Sequence, residues 1–207
     1  MNGLDTASDV RPHLDCIKAA GIQWVGRYLA SHTAIPGKIL TPIEAQAISS
    51  AGLSIVSIWE NGSPTSASYF SSVRGLADGD YASTLANVLG QPEESVIYAT
   101  VDYDASAQDI DGPITDYLAA FASMLGTYQV GIYGSGQVCR VFKDDTLVTA
   151  TWLSEASGWA EYTRYKGLGT WSILQSDGTV CGLPGDVTDL DQGQGNFGSW
   201  TRASTIT

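Results

Sequence analysis

Apolar and β-branched residues predict a strand over residues 95–104, and this strand ends in two acids. Successive side chains of a strand point to opposite faces, so Asp102 and Asp104 are expected on the same face at its carboxyl end. Acids are poor strand formers, and two acids on one face repel each other. The pattern therefore favours a functional pair. The alternatives are a solvated strand end or a helix cap at Asp104.

A unit of a short helix, a glycine and a strand recurs along the chain. Glycines at positions 21, 52, 90 and 126 each follow a predicted helix, and they are separated by 31, 38 and 36 residues. Glycine commonly ends a helix because it adopts a left-handed conformation without strain. The spacing is that of a βα unit, and the alternation of strands with helices predicts a parallel sheet covered by helices.

Three helices carry further indications. Residues 41–44 (TPIE) form a capping box with proline in the first turn, and this helix is expected to end near residue 51. Residues 78–89 predict a second covering helix. A third opens at residue 111, and the apolar residues from 114 to 125 recur at spacings of three and four. Residues 61–72 are rich in serine, glycine and proline and predict a loop.

Eight strands are predicted in all. They cover residues 3–7, 23–29, 53–59, 95–104, 128–133, 149–154, 170–175 and 187–191. Eight parallel strands in this order indicate the α/β class and a compact (β/α)8 TIM-type barrel, with short, irregular connections in the last third that leave no room for full helices. We expect residues 1–207 to form a single barrel domain. An open doubly wound sheet is the alternative, but no glycine-rich phosphate loop follows the first strand.

Composition narrows the range of partners. The 22 acidic and 10 basic residues give a formal net charge of −12, which repels phosphate backbones and anionic membranes, so we expect no nucleic acid partner. No run reaches the roughly 20 apolar residues of a membrane span, and the first residues do not resemble a secretory signal peptide. Six tryptophans and ten tyrosines suit either a sugar-binding cleft or an ordinary core.

The cysteines and histidines give no indication of a metal site or a catalytic triad. Cys16, Cys139 and Cys181 lie too far apart for a metal-binding pair, and three buried thiols are favoured over one disulfide with a free thiol. His13 and His32 have no neighbours at zinc-ligand spacing. Neither histidine accompanies a nucleophile motif.

Acids end the first, third, fourth and eighth predicted strands. The carboxyl ends of barrel strands build the working face, so these acids should converge on one pocket: Asp5, Glu60, Asp102, Asp104, Asp189 and Asp191. Converging carboxyls divide into neutral and ionised members, and glycoside hydrolysis needs such a pair. A calcium or magnesium site is the alternative. The remaining strands end at Arg27, Tyr133, Trp152 or Glu155, and Gln175.

Several of these residues also have structural interpretations. Asp5 could cap the first helix, and Glu60 could be a solvated loop acid. Arg27 could pair with Asp5 or Asp102. Trp152 is of a type more often found in cores than on sugar platforms. The functional interpretation depends on all the positions falling together at strand ends.

Five segments of the chain resemble one family of bacterial domains. They are residues 3–7 (GLDTA), 26–29 (GRYL), 98–104 (YATVDYD), 130–134 (VGIYG) and 187–192 (VTDLDQ). The family comprises the glycoside-hydrolase-like, Rv2525c-like barrel domains known as DUF1906, which are similar to family 25 glycoside hydrolases, the Chalaropsis-type lysozymes. The resemblance implies a muramidase that cleaves the bond between N-acetylmuramic acid and N-acetylglucosamine in peptidoglycan, without a cofactor.

The resemblance also implies roles for individual residues. Asp5 matches the first-strand acid, Asp102 the first acid of strand four, and Asp189 or Asp191 the last-strand acid. Asp104 stands where the lysozymes have the proton-donating glutamate, and it is one methylene shorter. Glu60 is therefore the alternative for that role.

The leading hypothesis is a glycoside hydrolase of the cell wall. Asp104 would be the general acid and Asp102 the stabiliser or nucleophile, with Asp5, Glu60 and Asp191 in support. Substrate contacts are expected from Arg27, Tyr133, Trp152, Gln175 and Asp189. The alternatives are a barrel that binds glycan without cleaving it and a metal-dependent hydrolase. We expect a monomer, secreted or associated with the cell wall.

Overall fold

In the computed structural model, which describes residues 1–203, eight strands close into a barrel in chain order. The strands are β1 Asn2–Thr6, β2 Trp24–Leu29, β3 Ser54–Trp59, β4 Val96–Thr100, β5 Gln129–Gly134, β6 Ala150–Leu153, β7 Ile173–Ser176 and β8 Thr188–Gly193. Closure confirms the α/β barrel and rules out the open doubly wound sheet. Residues 204–207 of the expected domain lie outside the described residues.

Helices flank the barrel along most of the chain. They are α1 Leu14–Ala19, α2 Pro42–Ser50, α3 Ser72–Leu89, the single-turn α4 Ala107–Asp109, α5 Thr115–Met124, α6 Gly136–Asp144 and α7 Tyr162–Leu168. The helix expected from residue 111 begins instead as a π-helical turn, Ile110–Ile114, because Gly112 and Pro113 interrupt regular α-helix there. α7 shows that the connection between β6 and β7 is long enough for a helix, which the sequence did not predict. Within the described part of the chain, no helix has the length and apolar character needed to cross a bilayer.

The eighth strand runs against its neighbours. β1 to β7 pair in parallel, whereas β8 is antiparallel to both β7 and β1. The expectation of eight parallel strands was therefore wrong. A parallel return needs a crossover, usually a helix, and residues 177–187 form only a loop at the carboxyl end of β7. The chain turns back directly, so β8 starts at the end of the barrel where β1 to β7 finish.

The apolar core has two layers. One lies between the strands and the helices, and the other fills the barrel with side chains that include Trp24, Val56, Tyr98, Trp152 and Phe197. The segment after β8 closes the amino end of the barrel, where Trp200 exchanges backbone hydrogen bonds with Ile55 and the Tyr98 hydroxyl donates to the Phe197 carbonyl at 2.9 Å. With that end filled, the carboxyl end is where a pocket can open.

A disulfide joins Cys16 on α1 to Cys181 in the loop between β7 and β8, with the two Cα atoms 5.7 Å apart. Cys139 is the free thiol and is buried on α6. The favoured prediction of three buried thiols was therefore wrong. The sequence could not show this pairing because the two residues are 165 positions apart and meet only when β8 closes the barrel. The bridge anchors the loop that takes the place of an eighth helix.

Replacing both Cys16 and Cys181 with serine is expected to lower the free energy of unfolding by about 2–4 kcal/mol, because the bridge restricts the unfolded chain. Denaturant unfolding of the oxidised wild type and of the double variant measures the difference. The wild type under reducing conditions is the control and should match the variant. Equal midpoints for the oxidised wild type and the variant would show that the loop needs no covalent anchor.

Candidate active site

A cavity of about 240 Å³ opens at the carboxyl end of β1 to β7. Each of the eight strands, or the loop directly after it, supplies at least one residue to the lining of this cavity. The lining residues include Asp5, Tyr28, Ile58, Glu60, Thr100, Asp102, Tyr133, Trp152, Gln175 and Asp189, together with the loop residues Ile35, Lys38 and Asp186. Four of the six predicted acids therefore line this cavity, namely Asp5, Glu60, Asp102 and Asp189. Asp189 reaches it from the start of the antiparallel β8 and not from a strand end.

Asp5 is buried at the base of the pocket and accepts hydrogen bonds on both oxygens. The Tyr28 hydroxyl donates to Oδ1 at 3.1 Å and Gln175 Nε2 donates to Oδ2 at 2.9 Å. Burial raises the pKa of Asp5 to about 6, against the lowering effect of these hydrogen bonds. Gly26 on β2 makes room for this side chain, since a Cβ there would lie 2.7 Å from that of Asp5.

Asp191 lies deeper in the barrel, beside Asp5. Trp152 Nε1 donates to its Oδ1 at 3.0 Å, while Oδ2 is buried without another recorded partner. Burial and the neighbouring Asp5 carboxyl hold the pKa of Asp191 well above its usual range. In its protonated form Asp191 can donate to Asp5, which lowers the pKa of Asp5.

Asp189 faces the same pocket from the start of β8, where its backbone pairs with that of Asp5. Burial, followed by repulsion from Asp5, Glu155 and Asp177, raises its pKa to about 7. Oxygens of Glu155, Asp177 and Asp189 lie within 4.8 Å of one another. These three carboxylates are close enough to hold a divalent cation at the rim of the pocket.

A lysine balances part of the negative charge on the other side. Lys38 Nζ lies 2.7 Å from Glu60 Oε1 and 4.6 Å from the centre of the Tyr28 ring. Asp102 stands at the mouth, where partial burial and the charge of Glu60 raise its pKa although its side chain reaches solvent. Glu60 and Asp102 are thus pocket residues, and Glu60 forms an ion pair with Lys38.

Asp104 does not reach the pocket. β4 ends at Thr100, so strand alternation no longer applies to the two acids, and they diverge. Asp104 is exposed and its Oδ1 accepts a hydrogen bond from the Ala160 backbone N–H at 2.7 Å. The expectation that Asp102 and Asp104 share one face was wrong for this reason.

Arg27 also lies outside the pocket. It points outward from β2, is fully buried, and contacts Glu44 on α2 with Nε 2.9 Å from Oε1. The expected substrate contact of Arg27 does not fit this position. An ion pair was the alternative interpretation, but its partner is Glu44 and not Asp5 or Asp102. Glu44 therefore does not complete the expected capping box, although the Thr41 side chain accepts from the Glu44 N–H as predicted.

Alternation along β2 would have identified Tyr28 as a pocket residue, because Arg27 and Tyr28 must face opposite sides. The sequence analysis chose the charged member of the pair instead. Ile35, Lys38 and Asp186 lie in loops, where no periodic pattern marks a side chain that reaches the pocket.

Comparison with known proteins identifies relatives for nearly the whole chain. The family model for the Rv2525c-like, glycoside hydrolase-like domain matches residues 15–200. FadG of Bacillus subtilis, an uncharacterized protein, is 29% identical over 188 residues, which are 86% of this chain and 32% of FadG. Rv2525c of Mycobacterium tuberculosis, named as a candidate peptidoglycan hydrolase, is 28% identical over 154 residues, which are 72% of this chain and 64% of that protein. The chain thus spans about one third of FadG and less than two thirds of Rv2525c.

Solved structures share the fold. The crystal structure of the Tat-secreted Rv2525c with HEPES has a TM-score of 0.81 at 24% identity, covering 97% of this chain and 98% of that one. The autolysin LytC of Streptococcus pneumoniae, in complex with a synthetic peptidoglycan ligand, has a TM-score of 0.58 at 13% identity, covering 92% of this chain and 46% of LytC. The chain belongs to the family of Rv2525c-like, glycoside hydrolase-like domains.

Proposed function

We propose that this chain is a glycoside hydrolase that cleaves the glycan strands of bacterial peptidoglycan. The observation that carries the proposal is the pair Asp5 and Asp189, which accept hydrogen bonds from the same Gln175 nitrogen in one pocket but sit in different environments. Two carboxyls of unlike proton affinity are what glycoside hydrolysis requires. Membership of the family and the relation to Rv2525c point to peptidoglycan as the substrate.

Asp189 is the proton donor in this proposal. Its pKa of about 7 keeps a large share of it protonated near neutrality, as a general acid needs. Asp5 is the carboxylate that stabilises the positive charge developing on the sugar ring, since three donors favour its ionised form. Asp191 lies beneath it, while Asp102 and Glu60 face the substrate from the opposite strands.

Purified peptidoglycan incubated with the wild type should release reducing ends, with a rate that is highest between about pH 6 and 7. Below this window Asp5 gains a proton and loses its stabilising charge, and above it Asp189 loses the proton that it must donate. Asp104→Asn is the matched control, because it makes the same chemical change outside the pocket, and it should retain the wild-type rate. Borohydride reduction of the new ends identifies the cleaved bond.

Two outcomes would contradict this proposal. Loss of activity in Asp104→Asn would return the proton-donor role to Asp104. A rate abolished by a chelator would favour a metal-dependent reaction at the cluster of Glu155, Asp177 and Asp189.

A glycan-binding barrel without catalytic activity is the second candidate. It is favoured by one observation, the position of Asp104 outside the pocket, since this residue follows β4 where the lysozymes carry their proton donor. Retention of the protein on insoluble peptidoglycan without release of reducing ends would support it.

We further propose that the chain acts as a single monomeric barrel domain, secreted or associated with the cell wall. Its disulfide suits an oxidising compartment, and its relative Rv2525c is described as Tat-secreted. A substrate in the cell wall requires such a location.

A further inference from the structure

Gln175 connects four parts of the barrel through one amide group. Its Nε2 donates to Asp5 Oδ2 at 2.9 Å and to Asp189 Oδ2 at 3.2 Å. Its Oε1 accepts from the Tyr133 hydroxyl at 2.9 Å and from the Glu155 N–H at 3.3 Å. A primary amide has two N–H donors and two acceptor lone pairs, so all four positions are occupied.

These partners fix the orientation of the amide. Rotating it by half a turn would place the carbonyl oxygen against two carboxyls and the NH2 group against an N–H donor. Gln175 is also buried, with 5% of its surface exposed. The amide therefore has no donor or acceptor left for a glycan, although the side chain lines the pocket, and the expected role in substrate binding does not fit its contacts.

The same contacts make the two aspartates unequal. Both oxygens of Asp5 accept hydrogen bonds, one from Tyr28 and one from Gln175. Asp189 accepts from Gln175 on Oδ2, and no protein group among residues 1–203 is recorded against its Oδ1. A proton is more easily carried on an oxygen that is not already an acceptor. Asp5 is thus held by donors on both oxygens, whereas Asp189 has one oxygen without a protein donor among residues 1–203.

We infer that Gln175 is a positioning residue, which holds the Asp5 and Asp189 carboxyls side by side and stabilises the ionised form of Asp5. The inference rests on the proposed function for its role in catalysis, but the arrangement itself can be tested without activity. The other titratable groups that face Asp5 and Asp189 are Tyr28, Glu60, Tyr133, Glu155, Asp177 and Asp191. None of them contacts both carboxyls through a single donor atom as Gln175 does.

Carboxyl carbon NMR of the wild type and of Gln175→Met tests the arrangement. Methionine has a similar volume but cannot donate, so the pKa of Asp5 should rise by about 1 pH unit or more as its carboxylate loses a charge-assisted hydrogen bond. Gln175→Glu keeps the acceptor for Tyr133 but adds a carboxyl, and it should raise the pKa of Asp5 further.

Gln46→Met is the matched control, since Gln46 lies on α2 and donates to Ser50 at 3.1 Å, outside the pocket lining. It should leave both aspartate pKa values unchanged. If cleavage is detected, the acid limb of the pH–rate profile should move upward in Gln175→Met with the pKa of Asp5, which a purely structural role would not cause.

The outcomes separate the two claims. Folded Gln175→Met or Gln175→Glu protein with the wild-type pKa for Asp5 would overturn the role of Gln175, whether or not the wild type cleaves peptidoglycan. A shifted pKa of Asp5 in Gln175→Met, together with a wild type that does not cleave peptidoglycan, would support the arrangement and count against the proposed hydrolase alone.

Discussion

Asp189→Asn should reduce cleavage of peptidoglycan at least about 100-fold, because general acid catalysis commonly contributes 10² to 10⁴ in rate. An asparagine side chain cannot protonate the leaving oxygen, yet it keeps the size of aspartate and can still accept from Gln175 on its carbonyl oxygen. The rate of reducing-end release near pH 6.5 measures the effect. Asp104→Asn carries the same chemical change at an exposed position and should be unaffected.

The same substitution is expected to stabilise the protein above neutral pH. The pKa of Asp189 is about 7 in the folded chain against the ordinary 3.8, so the folded state holds this proton more tightly than the unfolded state. Stability from this group is therefore fully present below about pH 4 and is lost as the pH rises through 7. Asparagine removes the charge that develops, together with its repulsion of Asp5, Glu155 and Asp177.

Thermal unfolding of Asp189→Asn and wild type at pH 5 and pH 8 checks this sign. At pH 8 the variant should be more stable, by on the order of 1–2 kcal/mol after allowance for solvent screening of a half-exposed group. At pH 5 the difference should be much smaller. A variant that keeps the wild-type rate would show that Asp189 is not the proton donor. A variant that is less stable than the wild type at pH 8 would show that the Asp189 charge does not destabilise the fold.

The barrel could be predicted from the sequence because the patterns that indicate its helices and strands each lie within a short stretch of the chain. Each glycine after a helix and each apolar strand is visible within about 15 residues, and their order implies a parallel sheet. The direction of β8 is not local information. It depends on whether residues 177–187 cross over the sheet or turn back, and on the bridge from Cys181 to Cys16, which joins opposite ends of the chain.

The candidate site was predictable to the extent that strands deliver side chains to one end of the barrel. Asp5 and Gln175 satisfy this rule because each lies near the carboxyl end of its strand. Asp189 reaches the same end only because β8 runs in the opposite direction and starts there. Asp104 lies four residues after the end of β4, where the direction of a side chain depends on loop contacts such as the one with Ala160. Sequence alternation carries no information there.

Arg27 shows a second reason why sequence prediction of the site fails. Its charge suggested a substrate contact, but its position on β2 places the side chain in the buried layer outside the barrel. Its guanidinium contacts Glu44 through two nitrogens and also donates to the backbone carbonyls of Thr6 and Gly37. Thr6 follows Asp5, and Gly37 precedes Lys38. The buried ion pair therefore supports both sides of the pocket from behind, without touching it.

Arg27→Met should lower the free energy of unfolding by about 3–5 kcal/mol, because it leaves the carboxylate of Glu44 buried without its cation. Arg27 and Glu44 are 0% and 2% exposed, so water cannot replace the lost contacts. Denaturant unfolding at neutral pH measures the loss. Arg164→Met is the matched control: Arg164 is 65% exposed and pairs with Glu161 at 3.3 Å, and a surface pair of this kind is worth at most about 1 kcal/mol.

The double variant Arg27→Met with Glu44→Gln distinguishes an unpaired charge from lost packing. Glutamine keeps an acceptor for the Val10 N–H, which donates to Glu44 Oε1 at 3.1 Å, but it carries no charge. If the main cost of Arg27→Met is the stranded carboxylate, the second substitution should recover a large part of the lost stability, because removing both members of a buried pair costs much less than removing one. A double variant as unstable as Arg27→Met would instead assign the cost to the carbonyls of Thr6 and Gly37. Arg27 would then stabilise the pocket mainly through the backbone, and not through its charge.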